Sequence, residues 1–422
     1  MEGIRDARKE LNITNGTGAI VAADTAYIIR QLKRPEEVNI LRRVYGKQFV
    51  LVSGYGSEQH RRERLLEKGR SSLPISTAQP ELDQKVSAIL IRDHDEGTSQ
   101  HGQHLRDTFH LADVFVDGIN RDQMRSGIER FFQAFFGRVD IGPTKVEYGM
   151  YAAKAASLRS TDLSRQVGAA LFTQDGEVVS QGCNEVPKAF GGTYWSGEEP
   201  DYRDVRLGYD PNDLLKKDVV RDLLERLQAG GLIIKAEPAI FVTDAFVEEL
   251  LGRGGEGLEH HGCLKGSQIS DLTEYGRVVH AEMVAICDAA RLGKRLKDCV
   301  LYVTTFPCHN CTKHIIAAGI RKAFYLEPYP KSRAKQLHSN EIEIERTSDS
   351  KVAFLPFLGI SPFRYRDIFE KSSRKARGVA KMWYADDNKP QPLVPFALPT
   401  YIEVEAIEID KIYGDFKTAG IN

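Results

Sequence analysis

Several things are scarce in this 422-residue sequence, and each scarcity removes a class of function. Neither sign of charge is in excess: 58 Lys and Arg stand against 59 Asp and Glu, a formal net charge of -1. No whole-chain attraction to nucleic acid or to an anionic membrane is therefore expected. No apolar run is long enough to cross a bilayer and no secretory leader is recognisable, so the expectation is a cytoplasmic protein with no membrane partner. The six cysteines, Cys183, Cys263, Cys287, Cys299, Cys308 and Cys311, lack the spacing of a disulfide framework, as suits a reducing compartment. There is no second C-x-x-C pair to complete a four-cysteine structural zinc site. The phosphate-cradling loop G-x-x-x-x-G-K-S/T is missing, and Asn15-Gly16-Thr17-Gly18-Ala19 is too short a glycine cluster to stand in for it. The remainder is ordinary for a soluble protein, 41% hydrophobic and 28% charged, with length enough for two or three domains.

Against that background, residues 279–316 stand out. They hold His280-Ala281-Glu282 and then Pro307-Cys308-His309-Asn310-Cys311, the H-x-E…P-C-x-x-C pattern of zinc-dependent base deaminases. The residue types suit the chemistry. His280, Cys308 and Cys311 supply three ligands and leave the fourth tetrahedral position of a catalytic zinc open to water. Such a metal lowers the pKa of that water towards neutrality. Glu282, two residues past the histidine, is not a ligand; it is the candidate to carry protons to the ring nitrogen and the leaving ammonia. The apolar residues Ala281, Met283, Val284, Ala285, Ile286, Ala289 and Ala290 predict a buried helix with His280 and Glu282 at its start. Residues 300–305 predict a buried strand, and Pro307 opens a second helix at the cysteines, where the positive dipole end favours thiolate. Half of a structural zinc site and a redox pair are the plainer readings of C-x-x-C; a redox pair has no use for His280 or Glu282 on a preceding helix.

Elsewhere helical and strand-like segments alternate, which implies α/β layers. Over residues 1–147, helices are predicted at 25–32 (capped by Asp24), from Arg34-Pro35 onward, at 59–68 and at 121–136. Strands are predicted at 48–53 and 110–116, and 86–91 reads as either a strand or a helix. His94, His101, His104 and His110 are read as loop and surface histidines. A linker at 139–144 precedes a helix at 147–157, a buried strand ending at 172, a turn at 174–176 and a return strand over 177–182. Within residues 196–278, a helix is expected at 213–227, a strand at 239–243, and a helix at 245–251 capped by Asp244. A flexible glycine loop follows, and a long insertion of this kind near a pocket often acts as a lid. His260, His261 and Cys263 have ligand-like spacing but no clear fourth partner, so no metal is assigned to them. Strands at 322–326 and 352–357, joined through a helix, would be able to run parallel, and the basic run 364–378 reads as a solvated helix face.

The text R-S-T-x-L-x-R-Q-V-G-A from Arg159, then G-x-N-x-x-P from Gly182, then H-A-E and P-C-x-x-C in that order, resembles the deoxycytidylate deaminase family. The resemblance implies that Asn184 hydrogen-bonds the sugar of a deoxycytidine nucleotide and that Arg165 approaches its phosphate. Arg165 also reads as a solvated strand-start arginine. Glu185 stands where that family usually has glycine and is read as a second contact to the sugar hydroxyl. The backbone at Ala281 and the ring of Phe306 would frame the base; Lys331 either meets a phosphate or is a solvated loop lysine. Residues 30–38, 182–195 and 356–365 are similar to the bacterial anti-phage dCTP deaminases, which pair an N-terminal P-loop-kinase-like domain with a C-terminal deaminase. That implies zinc as cofactor, dCTP and dCMP as substrates, depletion of dCTP as a defence, a homo-oligomer, and an inhibitory RNA partner. The fold expected is α/β: a three-layer α/β/α cytidine-deaminase-like domain over 148–370 with an insertion at 196–278. It follows an N-terminal P-loop-kinase-like α/β domain over 1–147 lacking its phosphate loop, and precedes a C-terminal extension over 371–422. One rival is a deaminase acting on RNA or single-stranded DNA, which wants a basic groove with aromatic platforms; the neutral charge balance weighs against it. The other is a binding module with purely structural zinc, which has no use for Glu282.

Overall fold

A computed structural model describes residues 1–15, 25–72, 79–94, 105–232, 242–253, 261–329, 331–381, 383, 390–394 and 400–418. The expectations placed on Gly16 to Ala19, Asp24, His101, His104, residues 239–241, residues 254–257 and His260 lie outside the described residues, as does the side chain of His94. Among the described residues no helix is long and apolar enough to cross a membrane.

The chain opens with α1 (Glu2–Asn15), α2 (Pro35–Tyr45), β1 (Val52–Tyr55), α3 (Glu58–Ser72), α4 (Gln79–His94), α5 (Leu105–Phe109), β2 (Val114–Asp117) and α6 (Arg121–Phe135). Next come α7 (Lys145–Ser157), the hairpin β3 (Gly168–Phe172) and β4 (Val178–Cys183), α8 (Asp204–Leu207), α9 (Pro211–Ala229) and α10 (Asp244–Leu250). The metal-motif elements are α11 (Ala281–Arg291), β5 (Val300–Thr305) and α12 (His309–Ala317). Then follow β6 (Lys322–Glu327), α13 (Ala334–His338), β7 (Ile342–Ile344), β8 (Val352–Pro356), β9 (Gly359–Ile360), α14 (Tyr365–Phe369), a two-residue hairpin and α15 (Thr400–Thr418). The fold is mixed α/β. Contacts divide it into two compact units, Met1–Tyr151 with Ala323–Ser332 and Asn340–Asn422, and Ala152–Lys322 with Arg333–Ser339.

In the first unit, β1 runs parallel to β2, and β2 pairs antiparallel with β9. The apolar face of α6 covers this sheet: Phe131, Ala134 and Phe135 pack with Val114, Val116, Ile360 and Ile368. Strands β6, β8 and β7 lie in that order, with β7 and β8 parallel. A buried charge node fastens the sheet. Asp113 Oδ1 accepts from Arg364 Nε at 2.8 Å and Arg42 Nη2 at 3.1 Å, while Oδ2 accepts the Leu51 N–H at 2.6 Å. Arg364 Nη2 donates onward to the carbonyls of Lys47 and Phe49. These side chains take backbone groups that a neighbouring strand would otherwise pair, so the strand expected at 48–53 begins only at Val52. α15 packs on α2, with Arg8 paired to Glu405, Tyr45 Oη donating to Glu405 at 2.6 Å and Arg43 pairing with Glu408 at 3.1 Å.

Other expectations are corrected. Residues 25–32 are not helical: Gln31 takes φ 67°, which no α-helix accommodates, and Ile28 and Ile29 are exposed. The ambiguous run 86–91 is helical, within α4. α10 is capped by Thr243, whose hydroxyl accepts the Phe246 N–H, rather than by Asp244. The basic run does not form one helix: it stops at Phe369, Arg364 is buried, and Lys371 Nζ donates to the Ile141 carbonyl at 2.8 Å. As expected, α2 starts at Pro35, with the Glu37 carboxylate accepting the Arg34 N–H at 3.0 Å.

In the second unit, β3 is flanked antiparallel by β4 and β5, giving the order β4-β3-β5. All five β3 residues are buried, as its continuous apolar text requires. α11 packs on β4 and β3.

Removing the Arg364 cation leaves Asp113 buried with one of its three side-chain hydrogen bonds gone. Arg364→Met should lower stability by roughly 3–5 kcal/mol, the usual cost of breaking a buried pair. A lowered urea midpoint, followed by Trp383 emission in a Trp195→Phe background, checks this.

Candidate active site

Glycine at position 182 sets the geometry. A Cβ built there would lie 2.4 Å from the Ala281 carbonyl oxygen and 2.6 Å from the Ala285 nitrogen, so α11 rests backbone against backbone on β4. Ser180 Oγ donates to the Ala285 carbonyl at 2.8 Å on the same face. This seating brings the start of α11 to one point. His280 is its N-cap, Ala281 its first residue, and Glu282 follows, only 4% exposed. β5 delivers the chain through Phe306 and Pro307 to Cys308, the N-cap of α12. Pro307 therefore precedes the cap instead of occupying the first turn. Cys308 Sγ accepts the Cys311 N–H at 3.4 Å.

The two caps face each other. His280 Nδ1 lies 3.4 Å from Cys308 Sγ and 3.3 Å from Cys311 Sγ, and the three ligand atoms all lie within 4.8 Å of one another. Among the described residues this is the group of His, Cys, Asp and Glu close enough to hold a metal ion. A tetrahedral zinc with ordinary bond lengths sets an N···S separation of about 3.5 Å, so an imidazole nitrogen and two sulfurs in this arrangement fit zinc. Glu282 stands outside the ligand group, with its carboxyl against the Cys311 thiol.

The protonation pattern follows from this crowding. The Cys311 thiol and the His280 imidazole stabilise the Cys308 thiolate and push its pKa down to about 3, against burial. The same thiolate raises His280 to about 9, also against burial. Cys311, next to that thiolate and buried, is pushed well up. Burial, then the Cys308 charge, raises Glu282. A carboxyl with a raised pKa in a closed site is suited to pick up and release a proton.

Residues 143–327 match the family model described as the cytidine and deoxycytidylate deaminase zinc-binding region. All of the site's elements lie in that stretch. Similarity to individual relatives is partial. ComE operon protein 2 of Bacillus subtilis (strain 168) is 40% identical over 110 residues, 26% of this chain and 53% of that protein. Deoxycytidylate deaminase of Enterobacteria phage T4 is 44% identical over 55 residues, 13% of this chain and 28% of that protein. The chain thus spans about half or less of these relatives. The crystal structure of dCMP deaminase from cyanophage S-TIM5 in complex with dCMP and dUMP is 16% identical, covering 52% of this chain and 100% of that one. Its TM-score is 0.27.

The Asn184 side chain is engaged at both ends: Oδ1 accepts the Val167 N–H at 2.7 Å and Nδ2 donates to the Arg165 carbonyl at 2.8 Å. The Glu185 carboxylate is also engaged, with Thr161 and Val186. Arg165 is exposed on the loop before β3. Ala281 is fully buried and Phe306 half-buried. Lys331 is exposed and belongs to the first unit. Ser160 and Thr161 were not singled out from the sequence, although they stand in the R-S-T text. Ser160 Oγ donates to the Asn184 carbonyl at 2.7 Å.

Gly182→Ala tests the seating. The added methyl must push α11 off β4, and overpacking of this kind costs about 1–3 kcal/mol. The expected readout is a lower urea midpoint by Trp195 emission in a Trp383→Phe background, with weaker zinc retention.

Proposed function

We propose that the chain is a zinc-dependent hydrolytic deaminase of free deoxycytidine nucleotides, converting dCTP and dCMP to dUTP and dUMP. The observation that carries this reading is the convergence of His280 Nδ1 with the sulfurs of Cys308 and Cys311 beside a buried Glu282 carboxyl, inside the stretch that matches the deaminase family model. When bound, zinc supplies a Lewis acid that lowers the pKa of water towards neutrality. The protein's own residues do the rest. His280, Cys308 and Cys311 hold the ion. Glu282 takes a proton from the water and gives it to ring N3, then takes the remaining proton from the hydroxyl now on C4 and passes it to the departing amino group. In sum, the water oxygen ends on C4, the C4–N bond breaks and ammonia leaves. Ala281 and Phe306 frame the base, while Asn184 and Arg165 are the candidates for sugar and phosphate.

The reading extends to the rest of the chain. The deaminase domain takes in residues 148–370 with an insertion at 196–278, following an incomplete P-loop-kinase-like domain over 1–147 that lacks the phosphate loop, and preceding an extension over 371–422. Its role is depletion of dCTP in anti-phage defence, as a cytoplasmic homo-oligomer under an inhibitory RNA.

Purified protein given dCTP, dCMP or a cytosine-bearing oligonucleotide should release ammonia with the two free nucleotides. Deamination of the oligonucleotide alone would overturn the substrate assignment. Glu282→Gln should retain stoichiometric zinc by elemental analysis and lose about 10²–10⁴-fold in kcat, the scale of a general acid–base group. Removing the metal with a chelator should abolish turnover, and adding zinc back should restore it.

A further inference from the structure

Glu185 is buried to 1% exposure, and its carboxylate is spoken for. Oε2 accepts the Thr161 N–H at 2.9 Å and the Thr161 hydroxyl at 2.8 Å; Oε1 accepts the Val186 N–H at 3.0 Å. An ionised carboxylate offers about four acceptor positions. Three are filled by uncharged protein donors, which is how a buried carboxylate is kept in place. A residue so enclosed has little left to offer a sugar hydroxyl.

Its backbone points to a different task. Glu185 and Val279 exchange both of their hydrogen bonds: the Glu185 N–H donates to the Val279 carbonyl at 3.2 Å and the Val279 N–H to the Glu185 carbonyl at 3.0 Å. Val279 is the residue immediately before His280, the N-cap of α11. Glu185 thus pins three segments together: the Ser160–Thr161 turn through its side chain, the stretch after β4 through its own peptide, and the entry to the metal histidine through the bridge. Asn184 reinforces the pin by clamping residues 165–167.

We propose that Glu185 is a positioning residue for the His280 arm of the metal site, acting through the Val279 bridge. This rests on the deaminase reading for the identity of the metal. Loss of the carboxylate leaves the Thr161 and Val186 N–H groups without acceptors; the 185–187 segment moves to satisfy them and takes Val279, and so the imidazole, with it. Residues that support a metal ligand from behind typically change metal affinity or activity 10–100-fold when altered.

The test uses the zinc-loaded full chain and its Glu185→Ala, Glu185→Gln and Thr161→Val variants. Zinc release to a chromogenic chelator should quicken at least about tenfold in Glu185→Ala. Glu185→Gln should fall between Glu185→Ala and the parent, because it keeps one acceptor for Thr161. Thr161→Val, which loses only the hydroxyl donor, should shift modestly in the same direction and carries the test if Glu185→Ala does not fold. The visible bands of the cobalt-substituted protein should shift in step, and kcat for dCMP should drop with little change in KM. Parental zinc release and cobalt spectra, with KM raised instead, would mark Glu185 as a sugar contact and overturn the proposal. A parent chain that holds no zinc would bring down the deaminase reading as well. A parent that holds zinc and deaminates, with variants that release zinc at the parental rate, would bring down only the role of Glu185.

Discussion

Backbone contact between α11 and β4 is the constraint on which the candidate site depends. A helix normally stands off a sheet by the length of its side chains. Here glycine at 182 lets the Ala281 carbonyl and the Ala285 nitrogen approach to where a Cβ would be. The start of α11 is thereby held, and with it the imidazole and the carboxyl that flank Ala281. The other half of the site comes from a second helix start, at Cys308, positioned by the buried strand β5. Two helix N-termini aimed at one place favour negative charge there. That favours thiolates, and the Cys311 thiol and His280 imidazole further lower the pKa of Cys308.

The two units are held together internally by different means. The second rests on close apolar packing: a fully buried β3, an apolar α11 and glycines where backbones meet. The first uses buried charge to a greater degree. Asp113, Arg364 and Arg42 form one node, and Arg8, Glu405 and Tyr45 another, the latter joining α1, α2 and α15 from opposite ends of the sequence. Buried ion pairs add little net stability over apolar packing, but they tolerate few alternative arrangements, because any other pairing strands a charge. The carbonyls of Lys47 and Phe49 show the consequence. Once Arg364 takes them, the segment no longer behaves as the strand its composition suggests.

Much of the site was readable because its chemistry is local. H-x-E and P-C-x-x-C each place their residues within one helical turn, and the helix–strand–helix context follows from apolar periodicity. β5 has the limits expected from its text. The errors share a cause. Residues 25–32, the 48–51 segment and the basic run after Arg364 all have plausible local propensity, which does not decide their conformation. Asn184 and Glu185 stood out through the family resemblance, and the structure adds what no local text shows, the engagement of their side chains with Thr161, Val167 and the Arg165 carbonyl.

Residue identity and spacing alone picked out the cluster of His280, Cys308 and Cys311, the Glu282 carboxyl next to it, and the α/β character of the chain, since these depend on side-chain chemistry and on periodicities of two and 3.6 residues. Tertiary structure alone decided which polar side chains face a neighbouring loop, where strands begin, and which arginines are buried. Those outcomes depend on which backbone groups find partners hundreds of residues away, as Arg364 does with Asp113, and no local pattern encodes that pairing.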